Sequence, residues 1–274
     1  MSVDEQIVVV ERLSRDLRAA AVTLEASEAR YLVDLYYAIQ EQRKRAMNQT
    51  RASVEDDEPN ALVRFVLDQF WTVENDIKRA MATYSDGHEV GRWSKTIVGI
   101  GPIIAAGLLA HVDVKIATNP SKLWRFAGLD PTVRWQKGEK RPWNARLKVL
   151  CWKIGDSFVK FHNHPDCLYG HLYAERKALE VERNMAGAFA ELAAATLVDK
   201  KIRQPETRAK YDAGQLPDGR IDLRARRYAV KIFLVHWWKV ATEIETGRPA
   251  PRAWVLEHGG HTNEIPVPNW SGLS

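Results

Sequence analysis

Apolar residues recur at intervals of three and four through most of this 274-residue chain, the spacing that gathers them on one face of an α-helix. Over residues 8–47 they are Val9, Leu13, Leu17, Tyr31, Val33, Leu35, Tyr36 and Ile39, and from Ala61 onward Val63, Val66, Leu67, Phe70, Trp71, Val73, Ile77 and Met81. Ser27 is a candidate internal cap in the first stretch, which reads equally as two helices or one interrupted helix. Residues 48–60 are polar and contain Pro59, the signature of a linker. Two further helical patterns cover 166–200 and 222–246, the second opened by Pro217-Asp218-Gly219 and closed by Gly247 and Pro249. The β-branched clusters at 7–10 and 112–116 are short and do not alternate for long.

The expected fold is therefore mostly α. A long helical arm or coiled coil (1–90, linker near 48–60) is followed by a hairpin-containing domain (91–165), two further long helices with a polar, basic connection (166–247) and an irregular tail (248–274). The arm is a candidate for homo-oligomer formation. The longest apolar run, 97–112, is broken by three glycines, Pro102 and His111, so no membrane span is expected. No leader-like segment opens the chain, and two cysteines, Cys151 and Cys167, suit a reducing compartment, so a cytoplasmic, nucleoid-associated location is expected.

Charge is unevenly distributed. The net charge is +5, yet residues 121–160 hold ten basic and three acidic side chains (+7) and residues 200–231 ten and four (+6), leaving −8 for the remainder. Two basic blocks on an otherwise acidic chain suit an anionic partner, most economically a nucleic-acid backbone.

The strongest local signal is Val98-Gly99-Ile100-Gly101-Pro102 with its following Ile103-Ile104-Ala105-Ala106-Gly107-Leu108-Leu109. Paired glycines allow a tight turn at positive φ, and Pro102 suits the first position of a helix. The amides around Gly99, Ile100 and Gly101 would then sit at the positive end of a helix dipole, where a phosphate oxygen is received. This is a helix-hairpin-helix pattern. Behind it, Lys122 and Arg125 precede a loop with Arg134, Trp135, Lys137, Lys140, Arg141 and Trp143, and Arg146 opens the next helix. Trp124, Phe126 and Trp152 read as core anchors, whereas Trp135 and Trp143 flank the basic loop and suit stacking on unpaired bases. Arg224, Arg227 and Lys231, spaced by three and four, form a basic stripe on the last long helix.

Taken in order, these pieces resemble the C-terminal transposase domain of the IS one-ten insertion-sequence family, the bridge-RNA-guided transposases related to the Piv invertase. The resemblance rests on the Val-Gly-Ile-Gly-Pro hairpin, on Leu123-Trp124-Arg125-Phe126-Ala127-Gly128-Leu129-Asp130-Pro131 and on Asn144-Ala145-Arg146-Leu147-Lys148. It covers about a quarter of the chain, and more loosely begins near Ala26, where the family has its coiled coil. It implies a protein that holds DNA, or structured RNA.

The chain departs from the family in its chemistry. The first hundred residues show no alternating strand to carry that family's four acidic metal ligands, and the family's nucleophilic serine has no counterpart in Arg134-Trp135-Gln136-Lys137-Gly138. Thr132 is the sole hydroxyl between Ser121 and Ser157, with no neighbouring histidine or carboxylate base expected. His162, His164, Cys167 and His171 have ligand types that suit zinc but no common zinc spacing, and Asp166 reads as an ordinary helix cap. No catalytic residue, metal or cofactor is assigned. The alternatives are a divergent recombinase or nuclease working through Thr132 or the histidine cluster, and a self-assembling helical structural protein.

Overall fold

The computed structural model describes residues 13–53, 61–199, 201–252 and 264–272. Among them are eleven α-helices and no strand, as the periodicity requires. No described helix is long and apolar enough to cross a membrane. The β-branched cluster at 7–10 lies outside the described residues, and that at 112–116 is irregular with a turn at 114–116. The chain divides into two compact units.

The first unit comprises the residues up to Lys95 together with Gly101–Asp113. It holds α1 (Arg15–Ala19), a short 3-10 turn (Ala20–Thr23), α2 (Ala26–Ser53), α3 (Ala61–Asp86), α4 (Glu89–Lys95) and α5 (Pro102–His111). Ser14 caps α1, its Oγ accepting from Leu17 N at 3.1 Å. The first helical stretch is interrupted at Leu24–Glu25, ahead of Ser27, because the Glu28 carboxylate accepts from Glu25 N at 2.8 Å and starts α2 there. α2 runs on to Ser53, so residues 48–53 of the expected linker are helical, while 54–60 lie outside the described residues.

α2 and α3 pack antiparallel: Val22 lies against Gly87, and Arg43 against Trp71 and Glu74. Ala29, Val33, Tyr36, Ile77, Met81 and Tyr84 form their core. One buried carboxylate fixes the register. Glu74 accepts from Arg43 Nε at 2.6 Å and Gln40 Nε2 at 2.9 Å; burial alone would raise its pKa, but these bonds hold it below the usual value. Ile103, Ala106 and Ala110 join the same core. α5, expected within a separate hairpin-containing domain over 91–165, thus belongs with the arm, because its apolar residues join the core of the α2–α3 pair.

The second unit comprises Thr96–Ile100 and the residues from Val114 onward. It holds α6 (Pro120–Phe126), α7 (Ala145–Lys160), α8 (Leu168–Met185), α9 (Ala190–Asp199), α10 (Pro205–Asp212) and α11 (Asp218–Thr246). Asn119 and Asn144 cap α6 and α7 with their side-chain oxygens. α11 packs on α6, α7 and α8, and Phe158, Tyr169 and Phe233 meet at its centre with ring separations of 4.9 to 5.6 Å. The stretch expected as one helix over 166–200 is broken at Gly187 (φ +78), a left-handed position that ends α8. The expected polar connection contains α10, which packs on α9, and Ala193 of α9 and Tyr211 of α10 share a core cluster with Phe189, Leu216 and Ile221. Tail residues 264–272 are irregular and return to α11, where Trp270 Nε1 donates to Glu243 at 2.7 Å.

Candidate functional site

The glycine turn is half as expected. Gly99 has φ +94, but Gly101 has φ −92 and ψ 176 and serves as the extended N-cap of α5. Gly99 is also packed inside the second unit: its carbonyl accepts from Ser157 Oγ at 2.6 Å, and a Cβ there would lie 3.1 Å from that oxygen and 3.4 Å from Phe158. Ile100 is buried, and its amide donates to Ile97 O at 2.9 Å to close the turn. Of the expectations for this turn, the positive φ at Gly101 is corrected to an extended N-cap, and the Ile100 amide, expected to face a phosphate, is committed to Ile97 O.

The basic residues separate into two groups. Arg224 does not project with its stripe: its Nε donates to the buried Glu180 at 2.6 Å, and Arg176 pairs with the same carboxylate. Burial alone would raise the pKa of Glu180, but the two guanidiniums hold it below the usual carboxylate value. Arg226 is matched likewise by Asp222 and Asp156. Among the described residues Arg227 makes no ion pair of this kind. Its pKa is lowered by desolvation and then by Arg224 and Arg220. Lys148 on α7 is lowered by desolvation, Arg227 and Arg141, and Lys231 by desolvation and Arg227 against the opposing pull of Asp130. Like charges that depress one another identify a local excess of positive charge.

Each arm of this face is built on tryptophan. Lys231 Nζ lies 3.9 Å from the centre of the Trp124 ring, Lys148 Nζ 4.1 Å from Trp143, and the Arg141 guanidinium 5.2 Å from Trp135. Trp135 and Trp143 meet edge to face at 6.2 Å, and Trp135 Nε1 donates to Glu139 O at 2.8 Å, closing the basic loop on itself. Gly128 (φ +67) lets the loop return closely, since a Cβ there would stand 2.9 Å from both Trp143 and the Lys148 stem. Arg125, Arg134, Lys137, Lys140, Arg141 and Arg146 are exposed on α6, the loop and the start of α7. Lys122 is exposed as well, with Nζ 2.9 Å from Thr118 Oγ1.

Lys148 is the residue that sequence reasoning passed over as a site. Its signal was the spacing of four from Asn144, which places it one turn into α7 beside the returning loop. Two expected core anchors are corrected in the opposite sense: Phe126 and Trp152 are 41% and 51% exposed, while Trp124 is half-buried under Lys231.

Thr132 does have a carboxylate neighbour. Asp130 accepts from Thr132 Oγ1 at 2.7 Å and from Thr132 N at 2.9 Å, a local turn, and these bonds lower its pKa and make it a weaker base. The histidine cluster does not converge; among the described residues no three His, Cys, Asp or Glu side chains are arranged around a metal position. His162 Nδ1 bonds Val159 O at 2.7 Å, His164 Nδ1 accepts from Asp166 N at 3.2 Å, and Cys167 is buried with Sγ 3.7 Å from Val98 O. Cys167, not Asp166, is the residue that precedes α8. Comparison with protein families, curated proteins and solved structures finds no match to this chain.

Proposed function

We propose that the face formed by α6, the 134–143 loop, the start of α7 and the middle of α11 binds the phosphate backbone of nucleic acid, DNA in the first instance, and holds rather than cuts it. One observation carries the reading: Arg227 has no ion pair among the described residues and shares its surroundings with Lys148, Lys231 and Arg220, whereas the neighbouring Arg224 and Arg226 are matched by carboxylates. A cluster of cations kept close with only Asp130, near Lys231, to oppose it costs folding free energy through self-repulsion. A polyanion laid across it removes that cost. The resemblance to a transposase domain points the same way, and such a protein would travel with the nucleoid.

The test is a titration of fluorescent DNA at low ionic strength with Arg227→Gln beside Arg208→Gln, an exposed arginine paired to Asp212. Arg227→Gln is expected to weaken binding several-fold and Arg208→Gln to leave it unchanged. Absence of binding by the parent protein, or equal behaviour of the two variants, would reject the reading.

Self-association belongs to the same proposal, supported by Leu62, Val63, Phe65, Val66 and Trp71, all exposed on α3. Light scattering at the mass of one chain in the absence of nucleic acid would remove it.

A further inference from the structure

We infer that this face takes paired rather than unpaired nucleic acid, reading the backbone of a duplex and leaving bases alone; the inference rests on the phosphate-binding reading above. Base stacking requires a ring with an open face. Here three tryptophans already carry cations: Trp124 under Lys231, Trp143 under Lys148 and Trp135 under Arg141. Lys148 and Arg141 are exposed and the rings beneath them only half so, which puts charge outermost and carbon behind it.

The rings are held in other ways too. Trp124 Nε1 donates to Lys231 O at 3.1 Å, Trp135 Nε1 to Glu139 O at 2.8 Å, and Trp143 is wedged between the edge of Trp135 and the backbone at Gly128. At these three tryptophans a base could stack only after displacing a cation from its ring. Cation–ring contact and base–ring stacking are of similar strength, so that exchange gains little. A duplex asks for no exchange. Its phosphates present one charge per about 1.7 Å of axis, denser than a single strand, and meet the cations where the tryptophans already hold them.

This reverses the role that spacing suggests for Trp135 and Trp143. They act as mounts that fix Arg141 and Lys148, and the chemistry recognised is the regular double row of phosphates shared by DNA and RNA duplexes.

The experiment is competition of a labelled DNA duplex, on the full chain, by four unlabelled oligonucleotides of equal length: DNA duplex, its separated strand, fully paired RNA and unpaired RNA. Both duplexes are expected to compete roughly tenfold or more better than their unpaired forms at the same salt, and the ratio between the two duplexes separates DNA from RNA as the source. Lys148→Gln is expected to lower duplex affinity several-fold without lowering single-strand affinity to the same extent, since it uncovers Trp143. Lys148→Arg restores duplex binding, and a melting curve confirms that both variants are folded. Single strands competing as well as duplexes, or Lys148→Gln reducing both equally, would overturn the inference while leaving nucleic-acid binding intact. Failure of every oligonucleotide to compete or bind would instead reject the underlying functional reading.

Discussion

Trp124 and Lys231 hold one another twice. The lysine ammonium lies 3.9 Å over the indole ring, and the indole Nε1 donates to the lysine's own carbonyl at 3.1 Å. The pair ties α6 to the middle of α11 and so sets the distance between two parts of the basic face. Trp124→Phe keeps a ring under the cation and removes the backbone bond. It is expected to cost about 1 kcal/mol of stability by urea unfolding, with a smaller loss of DNA affinity than Lys231→Met, which removes the charge. Equal affinity losses would mean that Trp124 contacts the ligand directly.

The two hairpin glycines should respond oppositely to alanine. Gly99 occupies φ +94, and a Cβ added there would stand 3.1 Å from Ser157 Oγ, whereas Gly101 has φ −92 and open space around it. Gly99→Ala is expected to lower stability by about 1 to 2 kcal/mol, and Gly101→Ala by no more than about 1 kcal/mol, through loss of a favourable N-cap residue. Thermal melting of both decides it, and a Gly101 variant as damaged as the Gly99 variant would contradict the geometry.

Sequence carried the helices well and the site only in part. Helical spacing depends on local positions, so α2, α3 and α11 are legible from residues three and four apart. The fate of a cation depends on which distant residue faces it. Arg224 and Arg227 are equivalent in the stripe, yet one turns to Glu180 on α8 and the other lies among lysines. The same limit explains Lys148, whose importance arises from a loop that returns through Gly128, and Phe126, whose apolar character says nothing about whether a neighbouring helix covers it.

Glu180 should be the most sensitive carboxylate of the second unit. It is 1% exposed and pairs with Arg176 and Arg224. Glu180→Gln leaves two guanidiniums unmatched and is expected to destabilise by about 2 to 4 kcal/mol, measured by urea unfolding at neutral pH. Because its folded pKa lies below its unfolded one, its contribution is present above the unfolded value and is lost as pH falls through the folded one. A neutral effect at pH 7 would mean that the arginines find other partners.

His236 adds a second acid-sensitive element at higher pH. It is buried on α11, bonded to Tyr169 Oη at 2.7 Å and to the backbone of Ile265 in the returning tail, and burial lowers its pKa to about 4. Between the ordinary histidine value near 6.5 and about 4, the unfolded chain binds a proton that the folded one does not. Stability is therefore expected to fall as pH drops through that window, by on the order of 3 kcal/mol. His236→Leu, less stable at pH 7, should flatten that slope; a slope unchanged by the substitution would assign it to other groups.

The salt dependence of duplex DNA binding tests the central claim most directly. If Lys148 and Arg227 each neutralise a phosphate, the slope of log affinity against log salt should become shallower by about 1.8 in the Lys148→Gln, Arg227→Gln double variant. The parent slope itself should be steep, reflecting several contacts. A parent affinity that does not change with salt, or a double variant whose slope equals the parent's, would contradict the assignment of this face as the phosphate-binding surface.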